Sequence, residues 1–277
     1  MTKVKFTKMH GNGNDFVLIN ALKLRPEILK RLKRHIKFIS DRRLGIGADQ
    51  ILLVLRSKEA NFQMSIFNAD GSNAEMCGNG IRCFLKYLHE KKISTKRKIT
   101  VSTKGGIVTP RMIGKLIEVD MGEPILSCRK IPVNWDGELI NRPLSFKDIK
   151  FFISCVSMGN PHCIVFVNNV SLFPVSQYGP IIENHNLFPL KTNVEFIEVI
   201  DHNHIRMRVW ERGVGETPAC GSGACAAVVA AHLNKKTKRK VRVEVNGGIL
   251  KINWDKKNNH VFMTGPAETV YDGEIKI

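Results

Sequence analysis

The order of apolar and polar positions along the chain predicts the same short series of elements in each half. Alternating or apolar runs predict strands over residues 49–55 and 62–68 in the first half. Comparable runs predict strands over residues 194–200 and 204–210 in the second half. Each pair of strands leads, after a few residues, into a Gly-rich turn that contains a cysteine. The pattern therefore suggests two similar halves.

A helix is predicted after each of these turns. In the first half, apolar residues recur at helical spacing at Ile81, Phe84, Leu85 and Leu88. In the second half, residues 224–231 contain almost nothing polar, which predicts a helix buried on all sides. Short strands should follow over residues 98–103 and 241–245.

Spacing from the two turns makes the repeat specific. Cys77 lies in the sequence MCGNG and Cys220 in ACGSG, and Gln50 and Asn193 each lie 27 residues before their cysteine. A Gly-Gly-Ile sequence follows the two cysteines by 28 and 27 residues. Such a series in order indicates an internal duplication. We expect an α+β fold of two pseudo-symmetric domains, each a mixed β-sheet wrapped around a central helix.

Composition narrows the class of protein. The 277 residues include seven cysteines, an odd number, and the first residues lack the apolar segment of a signal peptide. We therefore expect reduced thiols, a cytoplasmic protein and no membrane span. No Cys/His set has zinc-finger spacing, so no metal site is predicted.

The net charge of +18 is the one feature that suits a nucleic-acid binder. The basic residues concentrate in tracts over residues 30–37, 91–98 and 235–240. These tracts contain no interleaved aromatic residues and no RNA-binding signature. They are more typical of solvated helix ends and loops, so no nucleic-acid partner is expected.

The two cysteine turns carry the candidate chemistry. Amide groups at a helix N-terminus bind anions, and the same dipole lowers the pKa of a thiol. Inverting a stereocentre requires a base on one face of a carbon and an acid on the other. A duplicated thiol turn suits this requirement, and Cys77 and Cys220 are the predicted acid/base pair. We expect no cofactor, because no clear phosphate loop for pyridoxal phosphate is present, although a Schiff-base lysine stays possible.

The motifs that surround these residues resemble one known family. They are KMHGNGNDF, RLGIGADQ, IFNADGSNAEMCGNGIRC, MGNPHC, VWERGVGETPACGSGACAA and YDGEI. Together, and in this order, they are similar to diaminopimelate epimerase from residue 8 to residue 277. The resemblance implies the interconversion of L,L- and meso-diaminopimelate, a small amino-acid substrate, in lysine and peptidoglycan precursor biosynthesis.

The resemblance also implies roles for individual residues. Cys77 and Cys220 match the proton-transfer pair, and His162 and Glu211 match the neighbours that tune the two thiols. Residues that match substrate-binding positions are Asn14, Gln50, Asn68, Gly78, Asn79, Asn160, Asn193, Glu211, Arg212, Gly221 and Ser222. The chain departs from the usual family pattern at Asn12 and Ala48, which leaves these polar positions unchanged.

The family fold implies a β-barrel around a central helix in each domain. The expected domains are residues 1–120 with 267–277, carrying Cys77, and residues 121–266, carrying Cys220. Family members commonly form homodimers, and Tyr271 matches a tyrosine at that interface.

Two rival interpretations remain open. The first is a proline or hydroxyproline racemase with the same two thiols, which has no need of Arg212 and the Asn residues for a second amino-acid head. The second is a Lys-rich nucleic-acid or scaffold protein on a retired enzyme fold. Activity on diaminopimelate would decide against both.

Overall fold

The computed structural model describes residues 2–146 and 149–277, and its backbone divides into two compact units. Unit 1 comprises Met1–Val119 and Gly265–Ile277. Unit 2 comprises Asp120–Thr264. The last segment of the chain therefore belongs to the same unit as the first.

Short strands and two longer helices dominate both units. The elements up to residue 120 are β1 Lys3–Gly11, β2 Asn14–Asn20, α1 Pro26–Arg34, α2 Ile36–Ser40, β3 Gln50–Leu55, β4 Phe62–Asn68, β5 Asn73–Ala74, α3 Gly78–Glu90, β6 Val101–Thr103, β7 Gly106–Val108, β8 Arg111–Ile113 and β9 Leu116–Asp120. The later elements are β10 Arg142–Phe146, β11 Ile149–Ser157, β12 Pro161–Phe166, α4 Val175–Glu183, β13 Asn193–Asp201, β14 His204–Glu211, β15 Gly215–Thr217, α5 Gly221–Leu233, β16 Lys240–Val245, β17 Gly248–Trp254, β18 Val261–Gly265 and β19 Glu268–Lys276.

The sheet of unit 1 has the strand order β19-β1-β2-β3-β4-β6-β7. Strands β2 and β3 are parallel, as are β4 and β6, and the remaining neighbours are antiparallel. The short strand β5 pairs with β4 outside this path. Helix α3 connects the second parallel pair, as a parallel connection requires a crossover.

Unit 2 repeats this plan. Its strands run β10-β11-β12-β13-β14-β16-β17-β18, with β15 pairing with β14. The parallel pairs are β12 with β13 and β14 with β16, and helix α5 connects the latter. The order β11-β12-β13-β14-β16-β17 thus corresponds to β1-β2-β3-β4-β6-β7. The predicted α+β fold with mixed sheets is confirmed.

The two 13-residue helices lie against the strands of their own units. In α3 the residues predicted at helical spacing, Ile81, Phe84, Leu85 and Leu88, are all fully buried. In α5 the run Ala224–Ala231 is buried on every side, because strands β11, β12, β13, β16 and β17 all contact this helix. Its small side chains allow this close approach.

Each unit has its own apolar core. In unit 1, residues from α1, α2 and the sheet pack with Ile277, which follows β19. In unit 2, an aromatic group covers one side of the sheet, and its members are Phe146, Phe151, Phe173, Tyr178 and Phe196. The basic tracts lie mainly at exposed positions. Within residues 2–146 and 149–277, no helix has the length and apolar character needed to cross a membrane.

Candidate active site

Both predicted proton-transfer cysteines occupy the N-cap position of a buried helix. Cys77 and Cys220 have extended backbones, and each thiol accepts a hydrogen bond from the amide three residues later, at 3.4 Å. The glycines that follow place backbone close to each sulfur. The first amides of a helix lack intrahelical acceptors, which suits them to hold a carboxylate. Gly78 and Asn79, and Gly221 and Ser222, occupy these positions.

Asn14 connects the Cys77 turn to the rest of the unit 1 site. Its Oδ1 accepts from the Cys77 thiol at 3.6 Å and from Asn79 Nδ2 at 3.3 Å. Its own Nδ2 donates to Asp49 Oδ2 at 2.8 Å. The Asn14 side chain is therefore held from both ends. Strand β2 and helix α3 bring together residues 63 and 65 positions apart in the chain.

Gln50 and Asn68 form a second polar pair in unit 1. They lie opposite each other on β3 and β4, and Gln50 Nε2 donates to Asn68 Oδ1 at 2.8 Å. Asn68 Nδ2 in turn donates to Ser72 Oγ at 3.0 Å. These contacts orient two amide side chains at the ends of neighbouring strands.

A charged cluster next to Asn14 was not predicted from the sequence. Asp15 accepts from Lys8 Nζ at 2.7 Å and from both Arg42 amine groups, at 3.0 and 2.8 Å. Burial alone would raise the pKa of Asp15, but these cations and the Asp49 amide lower it well below its usual range. The only sequence signal for this cluster is weak, namely the order Asn-Asp after a Gly-rich turn.

Arg82 explains one departure from the family pattern. Its guanidinium is fully buried in α3, where Nη2 donates to Asn12 Oδ1 at 2.7 Å and Nε donates to Pro266 O at 2.9 Å. Asn12 has a φ of 55°, a left-handed conformation that Asn tolerates. An apolar residue at this position would lack the acceptor that Arg82 uses.

In unit 2, His162 and Glu195 form a fully buried polar pair. His162 Nδ1 lies 2.7 Å from Glu195 Oε1, and both side chains have no exposed surface. His162 Nε2 lies 3.0 Å from Asn160 Oδ1. The sequence had indicated His162 and Asn160 but not Glu195. The sequence signal for Glu195 is weak, because it is one of three acidic residues in β13 and only its burial distinguishes it.

Cys220 has the most perturbed environment of the predicted site. Its side chain is only 6% exposed, and burial raises its thiol pKa well above the usual range. The negative charges of Glu211 and then Glu195 act in the same direction, against hydrogen bonds from Ser222 and Gly223. The expectation that the helix start lowers a thiol pKa is therefore wrong for Cys220. Desolvation outweighs the hydrogen bonds at this helix start.

The remaining predicted residues of unit 2 are held by backbone groups and, at Glu211, by a side-chain hydroxyl. Asn193 Nδ2 donates to Pro161 O at 2.8 Å, and its Oδ1 accepts from the Arg212 amide at 2.9 Å. The exposed Arg212 side chain donates to Leu190 O at 3.2 Å. Glu211 accepts from the Thr217 hydroxyl. Asn193 thus joins β13 to the end of β14, where Glu211 and Arg212 lie.

Three side chains of unit 2 resemble the start of a metal-binding set. Ligand atoms of His162, Glu195 and Cys220 lie within 4.8 Å of one another. However, both ring nitrogens of His162 already have oxygen partners. A zinc ion would need one of these nitrogens and the Cys220 thiolate. The geometry thus suits a hydrogen-bonded proton-handling group better than a metal centre.

The fold places the chain in a recognised structural class. A phenazine biosynthesis protein of the PhzF family from Bacillus anthracis matches with a TM-score of 0.73 and 18% identity, covering 100% of both chains. A hydroxyproline epimerase from Agrobacterium vitis, solved with trans-4-hydroxy-L-proline, matches with a TM-score of 0.71 and 13% identity. That match covers 99% of this chain and 92% of the other. The chain shares the two-domain α+β fold of these proteins.

Sequence similarity is much closer within one family. The diaminopimelate epimerase family model matches residues 6–127 and 154–270. The diaminopimelate epimerase of Methanococcus maripaludis strain C5 is 49% identical over 280 residues, covering 99% of this chain and 100% of the relative. That of Acetivibrio thermocellus is 47% identical, covering 99% of each. The chain belongs to the diaminopimelate epimerase family, and the predicted resemblance is confirmed.

Proposed function

We propose that the protein interconverts L,L-diaminopimelate and meso-diaminopimelate without a cofactor, using Cys77 and Cys220 as a two-base pair. Family membership supports the substrate and the reaction. The observation that carries the mechanism is the matched placement of the two thiols. Each unit presents one cysteine at the N-cap of its buried helix, beside amides suited to a carboxylate.

The two thiols begin the reaction in different protonation states. The raised pKa of Cys220 favours its neutral thiol, which suits the acid. In the direction of reaction that starts from a neutral Cys220, Cys77 acts as the thiolate that removes the proton from the α-carbon. Cys220 delivers its own proton to the opposite face and becomes the thiolate. One proton is removed from the α-carbon and one is delivered to it, so the substrate neither gains nor loses a proton overall. In the reverse reaction the two cysteines exchange these roles.

We assign substrate binding to the polar residues that flank the thiols. Amides at Gly78, Asn79, Gly221 and Ser222 hold the reacting carboxylate. The side chains assigned to the polar groups of the second amino-acid head are Asn14, Gln50, Asn68, Asn160, Asn193, Glu211 and Arg212. The hydrogen bonds that fix Asn14 and Asn193 at both ends support this assignment, because they preorganise these two amides.

The wider context follows from the same proposal. Residues 1–120 with 267–277, and residues 121–266, are the two epimerase halves. The enzyme acts in the cytoplasm in lysine and peptidoglycan precursor biosynthesis. It forms a homodimer through the face that carries Tyr271, which is 45% exposed and contacts Phe6.

The decisive test is incubation of the reduced protein with L,L-diaminopimelate in D₂O, without added cofactor. Chiral chromatography and mass spectrometry should find meso product with deuterium at the inverted carbon. We expect Cys77→Ala and Cys220→Ala each to lower kcat by about 100-fold or more, since each removes one proton-transfer group. Wild-type turnover in either variant would exclude the two-base mechanism.

Negative outcomes separate the alternatives. Inversion of L-proline but not of diaminopimelate would support the proline racemase interpretation. Salt-sensitive RNA binding without isomerase activity would support a retired enzyme fold. Ser57→Ala is a suitable control, because Ser57 only caps an exposed turn in unit 1.

A further inference from the structure

Glu195 is a charged side chain near Cys220 that the sequence motifs did not indicate. It points inward from the middle of β13, between Val194 and Phe196, and is fully buried. Its Oε1 contacts His162 Nδ1 at 2.7 Å. Its Oε2 is buried with no hydrogen-bond partner among the described residues. A buried carboxylate in this situation is costly unless a cation compensates its charge.

Among the described residues, His162 forms an ion-pair contact with this carboxylate. Both ring nitrogens of His162 face oxygen acceptors, Glu195 Oε1 on one side and Asn160 Oδ1 on the other. A neutral imidazole has one donor and one acceptor nitrogen, whereas an imidazolium has two donors. The arrangement therefore provides an oxygen acceptor for each N–H group of an imidazolium. The opposite charges of Glu195 and an imidazolium at His162 would also compensate each other.

The same pair lies next to the sulfur of Cys220. The ligand atoms of His162, Glu195 and Cys220 fall within 4.8 Å of one another. Helix α5 is packed closely on the carboxylate, since a Cβ at Gly223 would lie 2.4 Å from Glu195 Oε1. The other ionisable groups that act on this region are Glu211, from β14, and the buried Cys163, from β12. His162 is thus the basic side chain of this cluster beside the sulfur.

We propose that Glu195 is a positioning residue that holds His162 as an imidazolium, so that its charge stabilises the thiolate formed at Cys220. The inference rests on the proposed role of Cys220 as an acid. When Cys220 delivers its proton to the substrate carbon, a negative sulfur is left in a buried place. The imidazolium compensates that charge, and the Glu195 carboxylate keeps the ring protonated and oriented.

Two physical effects of removing the Glu195 charge have opposite signs. As a bare neighbouring charge, Glu195 raises the pKa of the Cys220 thiol, so its removal would make the thiolate easier to form. As the partner of His162, it maintains a cation beside the sulfur, so its removal would make the thiolate harder to form. The direction of the change at Cys220 therefore distinguishes a positioning role from simple proximity.

The experiment compares wild-type protein with Glu195→Gln, which keeps the size of the side chain. Iodoacetamide reacts with thiolates, and peptide mass spectrometry gives separate rates for Cys77 and Cys220 across the neutral pH range. We expect the Cys220 rate to fall at least about tenfold in Glu195→Gln, corresponding to one pKa unit, with the Cys77 rate unchanged. Cys77 acts as an internal control for reagent and folding.

Glu198→Gln is the matched control, because Glu198 lies on the same strand but is half-buried and faces Arg206 and the Val170 amide. It should leave both rates unchanged. An unchanged or faster Cys220 rate in Glu195→Gln would overturn the proposal.

A second measurement needs no variant. In ¹⁵N-histidine-labelled wild-type protein, both ring nitrogens of His162 should carry protons at neutral pH. A single protonated nitrogen would contradict the proposal even if Glu195→Gln does not fold. Neither readout requires turnover. Loss of the proposed epimerase activity in the D₂O experiment would therefore be recognised separately from failure of this inference.

Discussion

At the scale of single residues, environment separates groups that look alike in the sequence. Cys83 and Cys77 belong to the same motif, yet Cys83 is enclosed within α3 and burial raises its thiol pKa to about 12. Cys77 lies at the helix start and is only half-buried. Asp15 and Asp136 differ in the same way, since Asp15 has three hydrogen-bonding neighbours whereas Asp136 is an exposed partner of Arg129.

The contribution of Asp15 to stability should depend on pH. Its pKa is lowered in the folded state, so its stabilising effect is fully present above the ordinary carboxyl value of about 3.9. The effect is lost as the pH falls through the lowered folded value. We expect Asp15→Asn to reduce the free energy of unfolding by about 2 kcal/mol at neutral pH, because charged hydrogen bonds are lost.

Denaturant unfolding of both proteins at several pH values measures this difference. It should shrink as the solution becomes acidic. Asp136→Asn is the control and should change stability by less than about 0.5 kcal/mol at any pH, as expected for an exposed ion pair. A difference for Asp15→Asn that stays constant down to acidic pH would contradict the assignment.

The sequence patterns predicted that Cys77 and Cys220 lie at helix starts, which the structure confirms, but they did not indicate Glu195 or Asp15. Cys77 and Cys220 stand in matched Gly-rich turns, so their positions at helix starts follow from local sequence. Glu195 lies between two buried apolar residues of β13, and its partner His162 is 33 positions away. Such a pairing depends on the parallel alignment of β12 with β13, which local patterns do not encode. The raised pKa of Cys220 likewise depends on burial by distant segments.

At the scale of elements, the two helix starts differ in how closely they are packed. Gly80 and Gly223 are equivalent third residues of α3 and α5, and each donates its amide to the N-cap sulfur. A Cβ at Gly80 would lie 3.3 Å from Leu52 and 3.4 Å from Phe16, which are side chains able to yield slightly. At Gly223 it would lie 2.4 Å from Glu195 Oε1, which is buried and hydrogen-bonded.

We therefore expect unequal effects of the same substitution at these glycines. Gly223→Ala should lower the free energy of unfolding by about 2–4 kcal/mol, because the carboxylate must move and break its contact with His162. Gly80→Ala should cost about 1 kcal/mol or less, since alanine also favours the helix. Thermal and urea unfolding of the two variants provide the comparison. Equal losses would show that the Glu195 carboxylate does not restrict the start of α5.

The elements themselves were largely predictable. The expected strands over 62–68 and 204–210 correspond to β4, Phe62–Asn68, and β14, His204–Glu211. The alternation of apolar and polar residues and the length of an apolar run are local properties of the sequence, so they predict individual strands. The order of strands in each sheet is different, because β19 joins β1 although nearly the whole chain separates them. Only the resemblance to a known family indicated that the last segment of the chain returns to the first domain.

At the scale of the whole molecule, β19 belongs to unit 1 although the whole of unit 2 separates it in sequence from the other strands of the unit 1 sheet. It forms a long antiparallel ladder with β1, from Lys3 opposite Lys276 to His10 opposite Glu268. Ile277 adds a buried side chain to the core of unit 1. Lys91 also bonds to Asp272 at 2.6 and 2.7 Å, linking the end of α3 to this strand.

Deleting residues 268–277 should therefore destabilise unit 1 far more than any single change in β19. The truncation exposes the edge of β1 and uncovers Phe6, so we expect aggregation or loss of cooperative unfolding. Circular dichroism and size-exclusion chromatography measure this outcome. Tyr271→Ala keeps the backbone ladder and loses mainly one ring contact with Phe6, so it should cost about 1 kcal/mol. A soluble, cooperatively folding truncation would contradict the prediction.

The position of β19 also bears on how the protein is made by the ribosome. Chains emerge from the N-terminal end, and domains generally fold as units during synthesis. In the order of the sequence, unit 2 comes between the two segments of unit 1, so unit 2 is completely translated before β19. Throughout translation of unit 2, the nascent β1 therefore lacks β19, the strand that pairs with its edge. Chaperones that cover exposed strands should therefore bind the nascent N-terminal segment for longer than they bind unit 2.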